Sequence, residues 1–127
     1  MAKQYVDGYV LVIPKKNFNE YKKMATEASK IWKKYGALEY FECVGDDLKP
    51  NMGSTQTLTF PKLTQLKKNE DIWFSFIIYK NKKERNTINK KVMDYFTKKY
   101  PKNDMPMPFD MKRISYAGFK TVVEETK

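Results

Sequence analysis

The chain has 127 residues, 41% of them apolar and 31% charged, a balance that suits one packed domain and excludes both a disordered tail and a two-lobed enzyme. Its formal charge is +10, but only Arg85 and Arg113 among the 25 basic residues are arginine, so the planar guanidinium groups that read nucleic acids are scarce. Histidine is absent and Cys43 is the one cysteine, which removes His-ligated haem and zinc, serine–histidine catalysis and an internal disulfide.

The N-terminus "MAKQYVDGYV" has no apolar signal core, and no run approaches the roughly 20 apolar residues that span a bilayer. A soluble, cytoplasmic protein without membrane contact is expected. Residues 5–13, "YVDGYVLVI", are β-branched and aromatic and stop at Pro14, which reads as a strand. Asn17 then predicts a helix N-cap, with Glu20 closing a capping box. Phe18, Tyr21, Ala25, Ala28, Trp32 and Tyr35 follow at spacings of three and four as one apolar stripe, and Gly36 is the predicted stop.

"LEYFECV", from Leu38, is the second strand. Gly45, Asp46 and Asp47 then read as a turn in which the carboxylates bond their own backbone; a metal site would need Asp104 or Asp110 to converge on them, and no metal is expected. Cys43 shares a face with Phe41 and has no activating base, so it reads as a small buried apolar side chain. Residues 46–70 are a long link in which "STQTLTF" predicts an irregular strand.

The opening device returns 64 residues later. "IWFSFIIYK", residues 72–80, is a strand, and Asn81 with Glu84 repeats the capping pair. A shift of 64 places Val10 on Phe74, Met24 on Ile88, Ala28 on Val92 and Trp32 on Phe96. "PKNDMPMPFDMKR", residues 101–113, breaks the repeat and reads as a packed connection, with a role over a pocket mouth as the alternative. "ISYAGFKTVV", from Ile114, is the last strand.

This order predicts an α+β fold over residues 1–127: a ferredoxin-like βαββαβ domain with a four-stranded antiparallel sheet in the order 4-1-3-2 and two helices. The all-apolar face of Val6, Val10, Val12, Phe74 and Phe76 is expected beneath the helices. The opposite face holds Asp7, Tyr9, Leu11, Trp73, Ser75 and Tyr79, too apolar to face water. A second copy could cover it in a dimeric barrel, or RNA could stack on Trp73 and Tyr79. The third strand lacks the glycine-containing aromatic string of RNA-recognition motifs, which favours the homodimer.

"YVDGYVLVIPKKNFNEY", "GALEYFECVGDDLKP", "FSFIIYKNKKERNTINKKVM" and "MPFDMKRISYAGF" resemble the consecutive blocks of the YbaA-like family of uncharacterised bacterial proteins. The resemblance implies a ferredoxin-like subunit pairing into a dimeric α/β barrel, within a superfamily that includes cofactor-free monooxygenases and haem-degrading enzymes. It implies tryptophan and glycine where this chain has Phe76 and Ala117, and it carries no reaction with it.

The candidate catalytic groups are Asp7 and Glu42 as bases and Tyr116 as hydrogen-bond donor. Burial would raise the pKa of Asp7 toward a useful value; pairing with Lys112 or Arg113 is the structural alternative. Candidate ligand-binding residues are Gly8, Tyr9, Trp32, Trp73, Ser75, Arg113 and Gly118, the glycines giving room to a ligand or to a core ring. No cofactor is expected. The functional expectation is a homodimer binding a small apolar or aromatic molecule, with cofactor-independent monooxygenase-like chemistry as its enzymatic form; RNA binding and a non-catalytic interaction module are the alternatives.

Overall fold

The computed structural model describes residues 3–127. It contains strands β1 (Tyr5–Pro14), β2 (Glu39–Val44), β3 (Glu70–Tyr79) and β4 (Ile114–Lys120), and helices α1 (Phe18–Tyr35), α2 (Phe60–Thr64) and α3 (Lys82–Lys99). The short α2 was not foreseen. It sits in the link where an irregular strand was expected, begun by Thr59, whose hydroxyl accepts from the Lys62 N–H, and by Pro61 in its first turn.

All strand pairs are antiparallel and the order is β2-β3-β1-β4, the sequence-derived 4-1-3-2 read from the other edge. Val10 lies opposite Phe74 and Tyr9 opposite Ser75, so side chains related by the repeat share a face. Which face the helices cover is the reverse of the expectation. Leu11, Ile13 and Trp73 pack with Tyr21 and Ala25 of α1, while Ile77 and Tyr79 pack with Ile88 and Val92 of α3. Asp7 and Ser75 are buried with them. The all-apolar face is the one left open over most of its length: Phe41 is 43% exposed, Phe74 44% and Phe119 56%, while Val12 and Ile72 at its end are buried. Polarity explains the reversal. The mixed face carries a carboxylate and hydroxyls that need partners once dry, and the helices supply them.

Cys43 lies opposite Phe74 on the open face and is exposed in the single chain, contrary to the buried position expected. Asp46 and Asp47 are exposed in a bend after Gly45. No helix of the described residues is long and apolar enough to cross a membrane.

The two capping pairs behave differently. Asn81 accepts from the Glu84 N–H at 2.8 Å and caps α3. Asn17 makes no cap; a 3-10 turn over Lys15–Asn17 leads into α1, and its amide donates to the Pro108 carbonyl at 2.8 Å. That bond ties the 101–113 segment down, and Phe109 packs edge-on against Tyr21. Gly36 ends α1 as expected, at φ 120°, with its N–H on the Lys33 carbonyl. Asn81→Ala is therefore expected to cost about 1 kcal/mol through helix fraying. Asn17→Ala should leave the amide exchange of the first turn of α1 unchanged and speed proteolysis within 101–113, both readable by hydrogen exchange and limited digestion.

Candidate functional site

The strand register lines up a row of polar side chains across all four strands. Tyr116 of β4 faces Tyr9 of β1, Tyr9 faces Ser75 of β3, and Ser75 faces Glu42 of β2. The neighbouring row on the same face is Gly118, Asp7, Ile77 and Tyr40. Both rows are on the helix side of the sheet, with Tyr116 and Gly118 exposed at the β4 edge, and each end is built differently.

At the β4 end the carboxylate of Asp7 is 0% exposed. Its Oδ2 accepts from the Asn89 amide at 3.3 Å, and its Oδ1 lies 3.7 Å from Nε of Arg85, close enough for charge attraction but not for a hydrogen bond. Arg85 also donates to the hydroxyls of Tyr5 at 3.1 Å and Tyr116 at 3.2 Å, and stacks over the Tyr5 ring. Behind Asp7, Trp32 donates its indole N–H to Tyr79 and Asn89, and the Tyr79 hydroxyl donates to Asn89. Burial pushes the Tyr79 and Tyr116 hydroxyls up, and the Asp7 charge adds to both.

At the β2 end Glu42 accepts from the hydroxyls of Tyr21 at 2.9 Å and Tyr40 at 2.7 Å. Burial raises its pKa above the ordinary 4.5, against the opposing hydrogen bonds of Tyr40, Tyr21 and Ser75. The two tyrosines shift upward as well, first through burial and then through the Glu42 charge. Glu42 lines a cleft of about 370 Å³ between α1 and the sheet, with Phe18, Ala25, Val44 and Trp73 as its apolar walls. The Trp73 indole N–H is buried and has no hydrogen-bond partner. A half-dry carboxylate beside aromatic walls can exchange a proton with a bound molecule.

The structure thus brings Asp7, Tyr9, Ser75, Tyr116, Glu42, Trp32 and Trp73 to one face. It separates Gly8, where an added Cβ would meet the Phe119 ring at 3.3 Å on the open face. Arg113 is remote from the row: it bonds Glu70 and the carbonyls of Thr64 and Gln65, clamping β3 to α2. Gly118 makes room for Tyr5 and Arg85, whose side-chain atoms lie 2.5 and 2.8 Å from where its Cβ would be. The partner of Asp7 is Arg85, not Lys112 or Arg113. Tyr21, Tyr40, Arg85 and Asn89 were not singled out from the sequence. The signal for the last two was present, because Arg85 and Asn89 continue the Val92 and Phe96 stripe at spacings of four and three.

Residues 4–111 match the family model described as "Protein of unknown function (DUF1428)". The chain is also similar to the proteins named "Uncharacterized protein YbaA" from Escherichia coli strain K12 and from Shigella flexneri. Each is 33% identical over 123 residues, a stretch that covers 96% of this chain and 99% of the relative.

Two predictions follow from the two ends. Arg85→Ala leaves a buried carboxylate without its cation and is expected to destabilise the fold by about 3 kcal/mol; adding Asp7→Asn should recover most of that loss in urea unfolding, and an additive double mutant would refute the coupling. For Glu42 the folded pKa lies above the unfolded one, so its contribution is full below the unfolded value near 4.5 and is lost as pH rises through the folded value. Glu42→Gln, which keeps the neutral shape, should therefore gain melting temperature over the wild type as pH rises from below the unfolded value near 4.5.

Proposed function

This chain belongs to the DUF1428 family, and we propose that it is a homodimer of ferredoxin-like subunits, paired into an α/β barrel, that binds a small aromatic molecule in the cleft beside Glu42. The observation that carries the binding reading is the pairing of a half-buried carboxylate, held by two tyrosine hydroxyls, with the aromatic walls of Phe18 and Trp73. The cleft volume of about 370 Å³ falls within the roughly 300–1,000 Å³ of small-molecule sites. Chemistry without a cofactor is proton transfer: Glu42 takes a proton from an O–H or activated C–H of the bound molecule, while Tyr21 and Tyr40 fix the carboxylate. Asp7, fully enclosed by Arg85 and Asn89, holds the fold at the other end of the row.

The open sheet face supports pairing with a second copy. Along it run Val6, Val10, Phe74, Phe76, Phe41 and Phe119, with Phe41 stacked on Phe76 at 4.8 Å and Phe74 tilted against Phe76 at 5.8 Å. Each phenylalanine taken from water contributes about 1.5–3 kcal/mol, and a contiguous patch of this kind is an association surface. RNA is the weaker occupant. Trp73 and Tyr79, the rings expected to stack bases, are buried under the helices. The paired residues of the open face include no lysine or arginine, Glu39 and Glu70 being their charged members, so phosphate contacts would have to come from elsewhere.

Sedimentation tests the pairing: the wild type should run as two chains and Phe74→Asp as one. Fluorescence tests the cleft. In a Trp32→Phe background Trp73 is the one remaining indole, and small aromatic molecules should change its emission saturably. Thr26→Trp, read by competition with a fluorescent aromatic, should fill the exposed rim and abolish binding; binding that survives this block would overturn the site.

A further inference from the structure

We infer that the cleft beside Glu42 takes a hydroxylated aromatic acid, its carboxylate held at the rim by Lys22, its ring on Trp73 and Phe18, and its hydroxyl toward Glu42. This rests on the small-molecule reading above and adds the ligand's charge and orientation. Phe18, Lys22, Ala25 and Ser29 recur along α1 at spacings of four, three and four, one stripe that forms the helix wall of the cleft. Lys22 is exposed and has no ion-pair partner among the described residues.

The hydrogen-bonding capacity of the cleft is unevenly spent. Thr26 donates its hydroxyl to the Lys22 carbonyl and Ser29 to the Thr26 carbonyl, while Tyr40 donates to Glu42. The donors left over are the Lys22 ammonium and the buried Trp73 indole N–H. The exposed Lys22 ammonium, unspent on any protein partner among the described residues, selects an acceptor-rich, anionic group at the rim. Glu42, the half-buried carboxylate lining the same cleft, is an acceptor whose neighbours already supply two hydroxyl donors. A second carboxylate there would be repelled, whereas a ligand hydroxyl can share its proton with it. The surrounding field acts in the same sense. Lys23 and Lys30 share a stretch of the α1 surface with Lys22, Glu27 beside them is occupied by Lys99 at 2.7 Å, and the chain carries a net +10, so anions are drawn to this helix.

The test compares 4-hydroxybenzoate with its neutral isostere 4-hydroxybenzamide by calorimetry on the intact wild-type protein. The acid should bind about five- to tenfold more tightly, the range of one charge-assisted contact at a partly exposed rim, and the advantage should shrink as salt is added. Lys22→Met should abolish the preference, cutting the affinity for the acid more than that for the amide. Equal binding of acid and amide, or a preference that survives Lys22→Met, overturns the inference and leaves the small-molecule reading standing. Failure of every aromatic probe to bind saturably overturns both.

Discussion

One buried charge decides which way this sheet faces. Asp7 stands on the central strand β1 with no exposed surface, and an ionised carboxylate in that position costs several kcal/mol unless cations and donors surround it. Only a polar partner layer can provide them. Arg85 and Asn89 project from the first turns of α3 for this purpose, so α3 has to lie over the Asp7 face, and α1, packed beside α3, has to lie there too. The hydrocarbon face is left for whatever needs no hydrogen bonds.

The same constraint leaves the architecture legible in the sequence and the orientation hidden. Alternation along "YVDGYVLVI" and "IWFSFIIYK" separates the two faces correctly, and the repeat sets Val10 against Phe74 as the structure has it. Ranking the faces by apolarity, however, sends the greasier one to the core. The rule that matters is satisfaction of polar groups, and its evidence lay in the helices: Arg85 and Asn89 occupy positions where Val92 and Phe96 continue an apolar stripe. The row from Tyr116 through Tyr9 and Ser75 to Glu42 follows from the strand register, which alternation fixes. Its contacts do not, because Tyr21 and Tyr40 read as core aromatics until a tertiary arrangement shows their hydroxyls on Glu42. Asn17 makes a related point. A capping pattern is a local preference, and here a bond to Pro108 takes the amide instead.

The duplication gives the site its asymmetry. A shift of 64 residues that superposes the helices places Tyr21 on Arg85 and Ala25 on Asn89, so each helix aims an equivalent pair at the sheet. On α3 the pair is long and polar; it reaches Asp7 and closes its end of the row. On α1 the pair is an aromatic hydroxyl and a methyl group. Tyr21 still reaches a carboxylate, that of Glu42, but Ala25, packed against Trp73, carries no group that can bond across to that carboxylate and forms one wall of the cleft. The cleft exists because the second member of the pair is small on one helix and large on the other.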